Sequence, residues 1–288
     1  MRAANGWEDY TLIDASSGNR LEQWADVLLI RPDPQVVWNT EKKAKEWYKA
    51  DAIYHRSSKG GGEWEYKHKL PQKWEVHYRD LTFIVSPTGF KHTGLFPEQA
   101  VNWDLYREKI EQANRPIKVL NLFAYTGGAT LACAASGASV THVDSSKGMI
   151  AWGKENGKVS GLEEKPIRWI IDDCTKFVMR EIRRGSLYDA VIMDPPSYGR
   201  GPDGEMWKLE DQIFDLISLC ANVLTDNPLF FSVNSYTTGL SPAVMEYILN
   251  STVKAKYGGK TSCGEIGLPV KETGGILPCG ATALWESK

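Results

Sequence analysis

Val119-Leu120-Asn121-Leu122-Phe123-Ala124-Tyr125-Thr126-Gly127-Gly128-Ala129 is the stretch on which the fold of this 288-residue chain turns. Residues 119–122 form a mostly apolar run of strand length, and Ala129, Thr130, Leu131 and Ala132 open a helix directly after the glycine pair. The pattern predicts strand, glycine turn, helix. Glycine there lets backbone approach a ligand and take up dihedrals a side chain forbids, while the free N–H groups of a helix start offer donors. Many strand-to-helix joints contain a glycine, so the turn alone assigns no ligand. The next strand adds a second signal: residues 138–143 lead into Asp144, 17 positions after Gly127. Nucleotide sites of the Rossmann type hold ribose hydroxyls with an acidic residue at about this distance, roughly 20 positions on.

Downstream the alternation continues. A helix is expected from about 147 to 160 with Gly161 as its stop, then a strand over 168–171 ending in Asp172-Asp173, and a helix to about Arg184. After these come a strand over 188–193, the loop Asp194-Pro195-Pro196-Ser197-Tyr198-Gly199-Arg200-Gly201, a helix over about 208–224, a strand over 229–233 and a helix after Ser241. This succession specifies an α/β fold, a Rossmann-like, doubly wound, mostly parallel sheet with ligands at the carboxyl ends of its strands. Residues 261–266 and 281–286, joined by a Gly/Pro-rich loop, fit a terminal β-hairpin.

Upstream the texture differs. Six of the 11 tryptophans (Trp7, Trp24, Trp38, Trp47, Trp64, Trp74) fall in residues 7–85, where short alternating runs are punctuated by Arg31-Pro32-Asp33-Pro34 and Gly60-Gly61-Gly62. Residues 1–85 are therefore expected to form a small, mostly β N-terminal domain, its aromatics chiefly core, with one or two exposed rings beside lysines suited to RNA. Residues 86–117 join it to a catalytic domain over 118–288. Within the joint, Gly94-Leu95-Phe96-Pro97-Glu98-Gln99 reads as a turn entering a helix, with Pro97 near its first turn and Trp103, Tyr106, Ile110 and Ala113 on helical spacing.

Composition bounds the function. At 42% hydrophobic and 24% charged, the chain can bury a large domain plus a small one. No apolar run approaches the roughly 20 residues that span a bilayer, and residues 1–19 lack a signal-peptide core, so a soluble cytoplasmic protein with no membrane partner is expected. The five cysteines (Cys133, Cys174, Cys220, Cys263, Cys279) contain no C-x-x-C pair, which predicts neither a metal site nor a disulfide framework. Net charge is −2, yet residues 41–79 hold ten Lys/Arg against six acidic residues, a local +4. That segment suits a phosphate backbone or an ordinary solvated face. Nothing in the sequence sets an oligomeric state.

Four strand ends now stand in order: Gly127-Gly128, Asp144, Asp172-Asp173 and Asp194-Pro195-Pro196. A nicotinamide dehydrogenase needs G-x-G-x-x-G and a P-loop protein G-x-x-x-x-G-K-[ST], and both are absent. Together with Gly94-Leu95-Phe96-Pro97-Glu98-Gln99, the four motifs resemble those of class I S-adenosylmethionine-dependent methyltransferases. More closely, they resemble the bacterial ribosomal RNA large-subunit methyltransferase family, from about Thr93 to the C-terminus. The resemblance implies S-adenosyl-L-methionine as cofactor and RNA, 23S ribosomal RNA in particular, as substrate. It implies that Ala124, Tyr125, Thr126, Gly127 and Gly128, entered through Phe123, cradle the methionine part. Asp144, with Ser145 beside it, would hold the ribose hydroxyls; Asp173, with Asp172 competing, the adenine amine; Phe96, Glu98 and Gln99 would fold over the cofactor, and Asp194 would border it. Helix capping is the alternative for Asp144 and Asp173.

A sulfonium methyl is already activated, so the enzyme has chiefly to align the acceptor and accommodate proton loss. Asp194-Pro195-Pro196 suits this, because the prolines remove donors and leave an acceptor-rich edge that a base amine can face. In [ND]-P-P-[YFW] enzymes the aromatic follows the prolines directly and stacks on the extruded base; here Ser197 intervenes and Tyr198 comes one later. Cytosine-C5 relatives need a thiolate, and neither 194–201 nor Asn234-Ser235-Tyr236-Thr237 contains a cysteine. Base-nitrogen transfer, guanine favoured, is the expectation. C5 chemistry through an unexpectedly placed Cys174 or Cys220, a small-molecule or protein methyltransferase, and a non-catalytic RNA-binding protein stay open.

Overall fold

The structure, a computed structural model, describes residues 1–57, 61–200, 206–237 and 239–288. Lys59 of the basic segment, Gly60 of the glycine turn and Gly201 of the Asp-Pro-Pro loop lie outside the described residues. The chain divides into two compact units, Met1–Val101 with Ile266–Cys279, and Asn102–Glu265 with Gly280–Lys288.

In the first unit the short alternating runs become strands: β1 (Arg2–Ala3), β2 (Tyr10–Ser16), β3 (Asn19–Trp24), β4 (Val27–Pro32), β5 (Ala52–Arg56), β6 (Gly62–Tyr66) and the hairpin of β7 (Trp74–Tyr78) with β8 (Leu81–Val85). A five-stranded sheet runs in the order β2-β3-β4-β5-β6, antiparallel except where β4 meets β5. Leu21, Ile30, Ile13 and Trp47 pack together on it. Beside this apolar cluster lies a buried ionic one. Glu22 accepts from Tyr10 Oη at 2.8 Å and from Arg31 Nε at 2.6 Å, with Arg20 Nε at 3.5 Å. Burial alone would raise the Glu22 carboxyl, but Arg20 and Arg31 outweigh it and pull Glu22 down to about 2. Removing one member of such a buried pair typically costs about 3–5 kcal/mol, because the other charge is left unpaired.

The second unit carries the parallel sheet. Helix α1 (Ala100–Gln112) leads to β9 (Lys118–Leu122), followed by α2 (Gly128–Ala135), β10 (Ser139–Asp144), α3 (Lys147–Val159), β11 (Ile167–Ile171), α4 (Cys174–Arg184) and β12 (Ala190–Met193). Next come β13 (Tyr198–Arg200), β14 (Met206–Lys208), α5 (Leu209–Cys220), β15 (Phe230–Ser235) and α6 (Pro242–Leu249); β16 (Lys260–Pro269) and β17 (Ile276–Glu286) close the chain. Strands β15, β12, β9, β10 and β11 are adjacent in that order and parallel, and β17 is antiparallel to β15. The first strand, β9, sits beside the fourth, β12, so the winding direction reverses between them. In open α/β sheets ligands bind at that switch point, beyond the carboxyl ends of the strands.

Helices cover both faces because the strands are apolar on both. Val191 and Met193 of β12 join Leu120, Leu122, Phe177, Ile213 and Ile217 on one side, while Ala190 and Ile192 join Val119, Val140, Tyr106 and Ile110 on the other. Tyr106 and Phe230 stack at 5.2 Å, and the Tyr106 hydroxyl meets Ser232 Oγ at 2.7 Å, so α1 is fixed by packing and polarity together. Two expectations change. The terminal strands are longer than 261–266 and 281–286, and the Asp-Pro-Pro loop contains an unforeseen hairpin, β13 with β14.

Candidate active site

Strand register aligns the motifs. Leu122 of β9 lies opposite Val143 of β10 and Met193 of β12, while Asp144 lies opposite Ile171 of β11. Phe123, Asp144, Asp172 and Asp194 therefore emerge along one edge of the sheet. With neighbouring strands about 4.8 Å apart, Asp194 and Asp144 flank the end of β9 about 10 Å from each other at the backbone.

Between them the chain is strained. Phe123 (φ 55°), Tyr125 (φ 50°) and Gly127 (φ 91°) all adopt left-handed backbone, and two of the three carry large side chains. The two that are not glycine cost of order 1–3 kcal/mol each and persist only where the surroundings dictate them. Here they do. The N–H groups of Phe123, Ala124 and Tyr125 donate to Cys174 Sγ (3.3 Å), the Val143 carbonyl (3.1 Å) and Asp144 Oδ2 (2.9 Å). Asn156 of α3, fully buried, donates to the Thr126 carbonyl at 2.9 Å. Gly128 is set by packing, since a Cβ there would stand 2.4 Å from Trp103 Cζ2.

A buried polar chain supports the turn from below. Asn121 Nδ2 donates to Thr130 Oγ1 at 2.9 Å, which meets His142 Nδ1 at 2.9 Å, and the imidazole packs 4.5 Å from the Trp169 ring. Burial lowers His142 to about 3, against a small raising effect of the Tyr125 backbone, so the ring is neutral at physiological pH. Sequence reading missed His142, Asn156 and Trp169. The available signal was a polar residue inside an otherwise apolar strand, His142 in Val140-Thr141-His142-Val143.

The acidic strand ends differ in what they hold. Asp144, half-buried, accepts one backbone N–H on each oxygen, Ser146 on Oδ1 at 2.8 Å and Tyr125 on Oδ2. Ser145 is exposed beside it, and Ser146 rather than Asp144 caps α3. Asp173 does cap α4, accepting from Lys176 N at 2.8 Å, and is exposed. Asp172 is tied to Arg180 by an ion pair. Beyond β12, Asp194 is half-buried, Pro195 buried, and Pro196 and Tyr198 exposed. The acceptor edge is narrower than the motif suggests: the Pro196 carbonyl takes Trp207 Nε1 at 2.6 Å and the Ser197 carbonyl takes Leu209 N at 3.1 Å. Those bonds anchor the β13–β14 hairpin. Neither bond uses the Asp194 carboxylate.

Comparison with known proteins agrees with this geometry. A family model described as S-adenosylmethionine-dependent methyltransferase matches residues 46–213, more than half of the chain. The chain belongs to the S-adenosylmethionine-dependent methyltransferase family. A solved S-adenosylmethionine-dependent methyltransferase from Agrobacterium tumefaciens is 38% identical, with a TM-score of 0.93 over 100% of this chain and 93% of that one. A methyltransferase solved in complex with S-adenosylhomocysteine shares the fold at 16% identity and a TM-score of 0.75, over 98% of this chain and 76% of that one. Ribosomal RNA large subunit methyltransferase K/L of Magnetococcus marinus is 30% identical over 228 residues, 77% of this chain and 29% of that protein. The chain thus spans under a third of the curated relative's length.

The methyltransferase uses S-adenosylmethionine, and the strand-end residues fit it. An ionised carboxylate offers about four lone-pair positions; Asp144 has used two, which leaves two for a vicinal diol. Phe96, Glu98 and Gln99 belong to the first unit, where Glu98 and Gln99 are buried and Phe96 is half-buried, 5.3 Å from His92. Cys174 stands behind the turn as acceptor for Phe123 N, and burial pushes its thiol up, as it does for Cys220. The exposed Cys263 is raised to about 11 by burial and by Glu246 at 3.0 Å. Among the described residues no helix is long and apolar enough to cross a membrane, and no group of three His, Cys, Asp or Glu could hold a metal.

Proposed function

We propose that this methyltransferase methylates a base nitrogen of RNA, with 23S ribosomal RNA as substrate and guanine as the favoured base. The observation that carries the nitrogen assignment is Asp194 at the switch-point edge with no ready thiolate beside it. Cys174, the cysteine behind that edge, is buried, hydrogen-bonded and raised in pKa, which is the reverse of a nucleophile's environment. RNA as substrate is supported by the curated relatives, whose name is ribosomal RNA large subunit methyltransferase K/L.

Bound S-adenosylmethionine supplies a methyl activated on sulfonium. Asp144 accepts from the ribose hydroxyls, Asp173 with the bond capacity left beyond its cap accepts from the adenine amine, and Asp172 serves Arg180 instead. The 123–128 turn, held in one strained shape, presents backbone to the methionine part, with Gly127 and Gly128 keeping side chains out of the way. Phe96, Glu98 and Gln99 keep their cofactor role from sequence resemblance. Asp194 and the Pro195 carbonyl would accept from the base amine and so orient its lone pair; as the new N–C bond forms, the methyl–sulfur bond breaks, S-adenosylhomocysteine leaves, and the nitrogen's proton passes to the Asp194 carboxylate. Tyr198, exposed at the start of the β13–β14 hairpin, stacks on the extruded base.

Two experiments test this reading. Asp194→Asn, which keeps shape but loses charge and half the acceptor capacity, should bind cofactor normally and lose turnover. Incubation with 5-fluorocytosine-substituted RNA and cofactor should give no denaturant-stable adduct. An adduct on any of the five cysteines would replace nitrogen by cytosine C5.

A further inference from the structure

One face of the β5–β6 hairpin in the first unit is built from rings and cations. Tyr54 pairs across the ladder with Trp64, Ala52 with Tyr66 and Arg56 with Gly62, so Tyr54, Arg56, Trp64 and Tyr66 share a face. The hairpin's carboxylates, Glu63 and Glu65, alternate onto the other face, where Glu65 pairs with His55. Trp64 is edge-on to Tyr54 at 5.4 Å and stacked with Tyr66 at 6.5 Å and 30°. Its indole N–H is fixed by the Thr88 carbonyl at 2.8 Å.

The strip grades from core to solvent. Tyr54 is buried and Trp64 half-buried, but Tyr66 is 54% exposed, and Phe90 on the neighbouring loop is 66% exposed. Tyr66 also walls a cleft of about 420 Å³ with His68, Lys69, Pro71 and Gln72. Arg56 at one end and Lys69 at the other are exposed and have no ion-pair partner among the described residues. Large rings left in water on paired strands, with cations at both ends and the hairpin's carboxylates on the opposite face, match a strand whose bases are unpaired and whose backbone is anionic.

We propose that this face is a binding strip for single-stranded RNA: a base stacks on Tyr66, a neighbour on Phe90, and Arg56 and Lys69 meet phosphates. The proposal rests on the RNA reading above and adds where, and in what form, RNA is held. A duplex offers no free base face, so the strip selects unpaired segments.

The test uses the full chain, fluorescence anisotropy, and two probes: fluorescein-labelled oligouridylate, and the same strand paired with oligoadenylate. Tyr66→Ala should weaken oligouridylate binding by roughly 5- to 150-fold, the equivalent of one lost stacking contact, while Tyr66→Phe retains it and duplex binding stays unchanged. Cofactor calorimetry on each variant checks that the fold is intact. Equal oligouridylate affinity for wild type and Tyr66→Ala would overturn the strip. If ribosomal RNA is methylated with an unchanged KM in Tyr66→Ala, the strip falls and the RNA reading stands. If oligouridylate binding depends on Tyr66 but no RNA accepts methyl, the strip stands and that reading falls.

Discussion

Asp144 Oδ2 accepts the backbone N–H of Tyr125 at 2.9 Å, tying the end of β10 to a left-handed residue in the turn after β9. One carboxylate thus shapes the turn and, in the function proposed above, also holds the ribose diol. Asp144→Ala removes both functions and should weaken cofactor binding by about 1.5–3 kcal/mol, roughly 10- to 150-fold. Asp144→Asn should lose less, since one acceptor oxygen survives. Calorimetry with S-adenosylhomocysteine measures both; an unchanged affinity in the alanine variant would leave Asp144 a turn-shaping residue only.

The same group sets a pH dependence. Burial raises Asp144 from its ordinary value, against the lowering effect of the Ser146 and Tyr125 N–H groups. Diol binding needs the ionised form, so cofactor affinity should be full above the raised pKa and fall as pH descends through it, earlier than for an exposed aspartate. Folding stability has the opposite sign. With the folded pKa above the unfolded one, the Asp144 contribution favours the fold below the unfolded pKa and is lost as pH rises through the folded value. Titrating affinity in wild type and Asp144→Asn should show the two converging at acid pH. A wild-type affinity flat through the carboxylate range would contradict this.

Gly128→Ala should destabilise the protein through Trp103, because the added Cβ would lie 2.4 Å from Cζ2 and 2.9 Å from Cε2 of a rigid ring. Overpacking of this kind costs about 1–3 kcal/mol, or about 2–4 °C in Tm per kcal/mol for a domain of this size. Trp103→Leu should recover part of that loss in the double variant, a coupling of about 0.5–3 kcal/mol. Strict additivity of the two changes in thermal melts would rule out the contact.

Local chemistry explains what was legible beforehand. The strand ends, the start of α3 at about Lys147 and Gly161 after its end, and Trp103, Tyr106 and Ile110 on the buried side of α1 all follow from patterns within a few residues of each other. The β13–β14 hairpin did not. Its strands are three residues each, and Pro196 and Gly199 read as loop punctuation, while the bonds that hold it, Trp207 to Pro196 and Leu209 to Ser197, span 11 and 12 positions. The left-handed Phe123 and Tyr125 were equally hidden. Neither residue type favours that backbone, and the contacts that impose it come from β10, α3 and α4. Asp173 was legible as a choice between cap and ligand, and its cap is seen.

The basic segment gives a salt prediction. Lys42 lies over the Trp47 ring at 4.4 Å and Lys43 is 3.9 Å from Glu41, both at the surface, where such contacts are weak and exchangeable for phosphate. Replacing Lys42, Lys43 and Lys45 together should flatten the dependence of RNA affinity on salt by up to about 2–3 units, at roughly 0.7–0.9 per phosphate contact. A slope identical to wild type would remove these lysines from the interface.

Methyl transfer to a base nitrogen of large-subunit ribosomal RNA is the reaction proposed for this protein. Its most direct test takes that RNA from a strain lacking this protein, incubates it with the purified enzyme and methyl-labelled S-adenosylmethionine, and identifies the labelled nucleoside by mass spectrometry after complete digestion. The predicted result is label on a guanine nitrogen with wild-type enzyme and none with Asp194→Asn. Label on a pyrimidine carbon, or no label in the RNA while the enzyme binds cofactor normally, would contradict it.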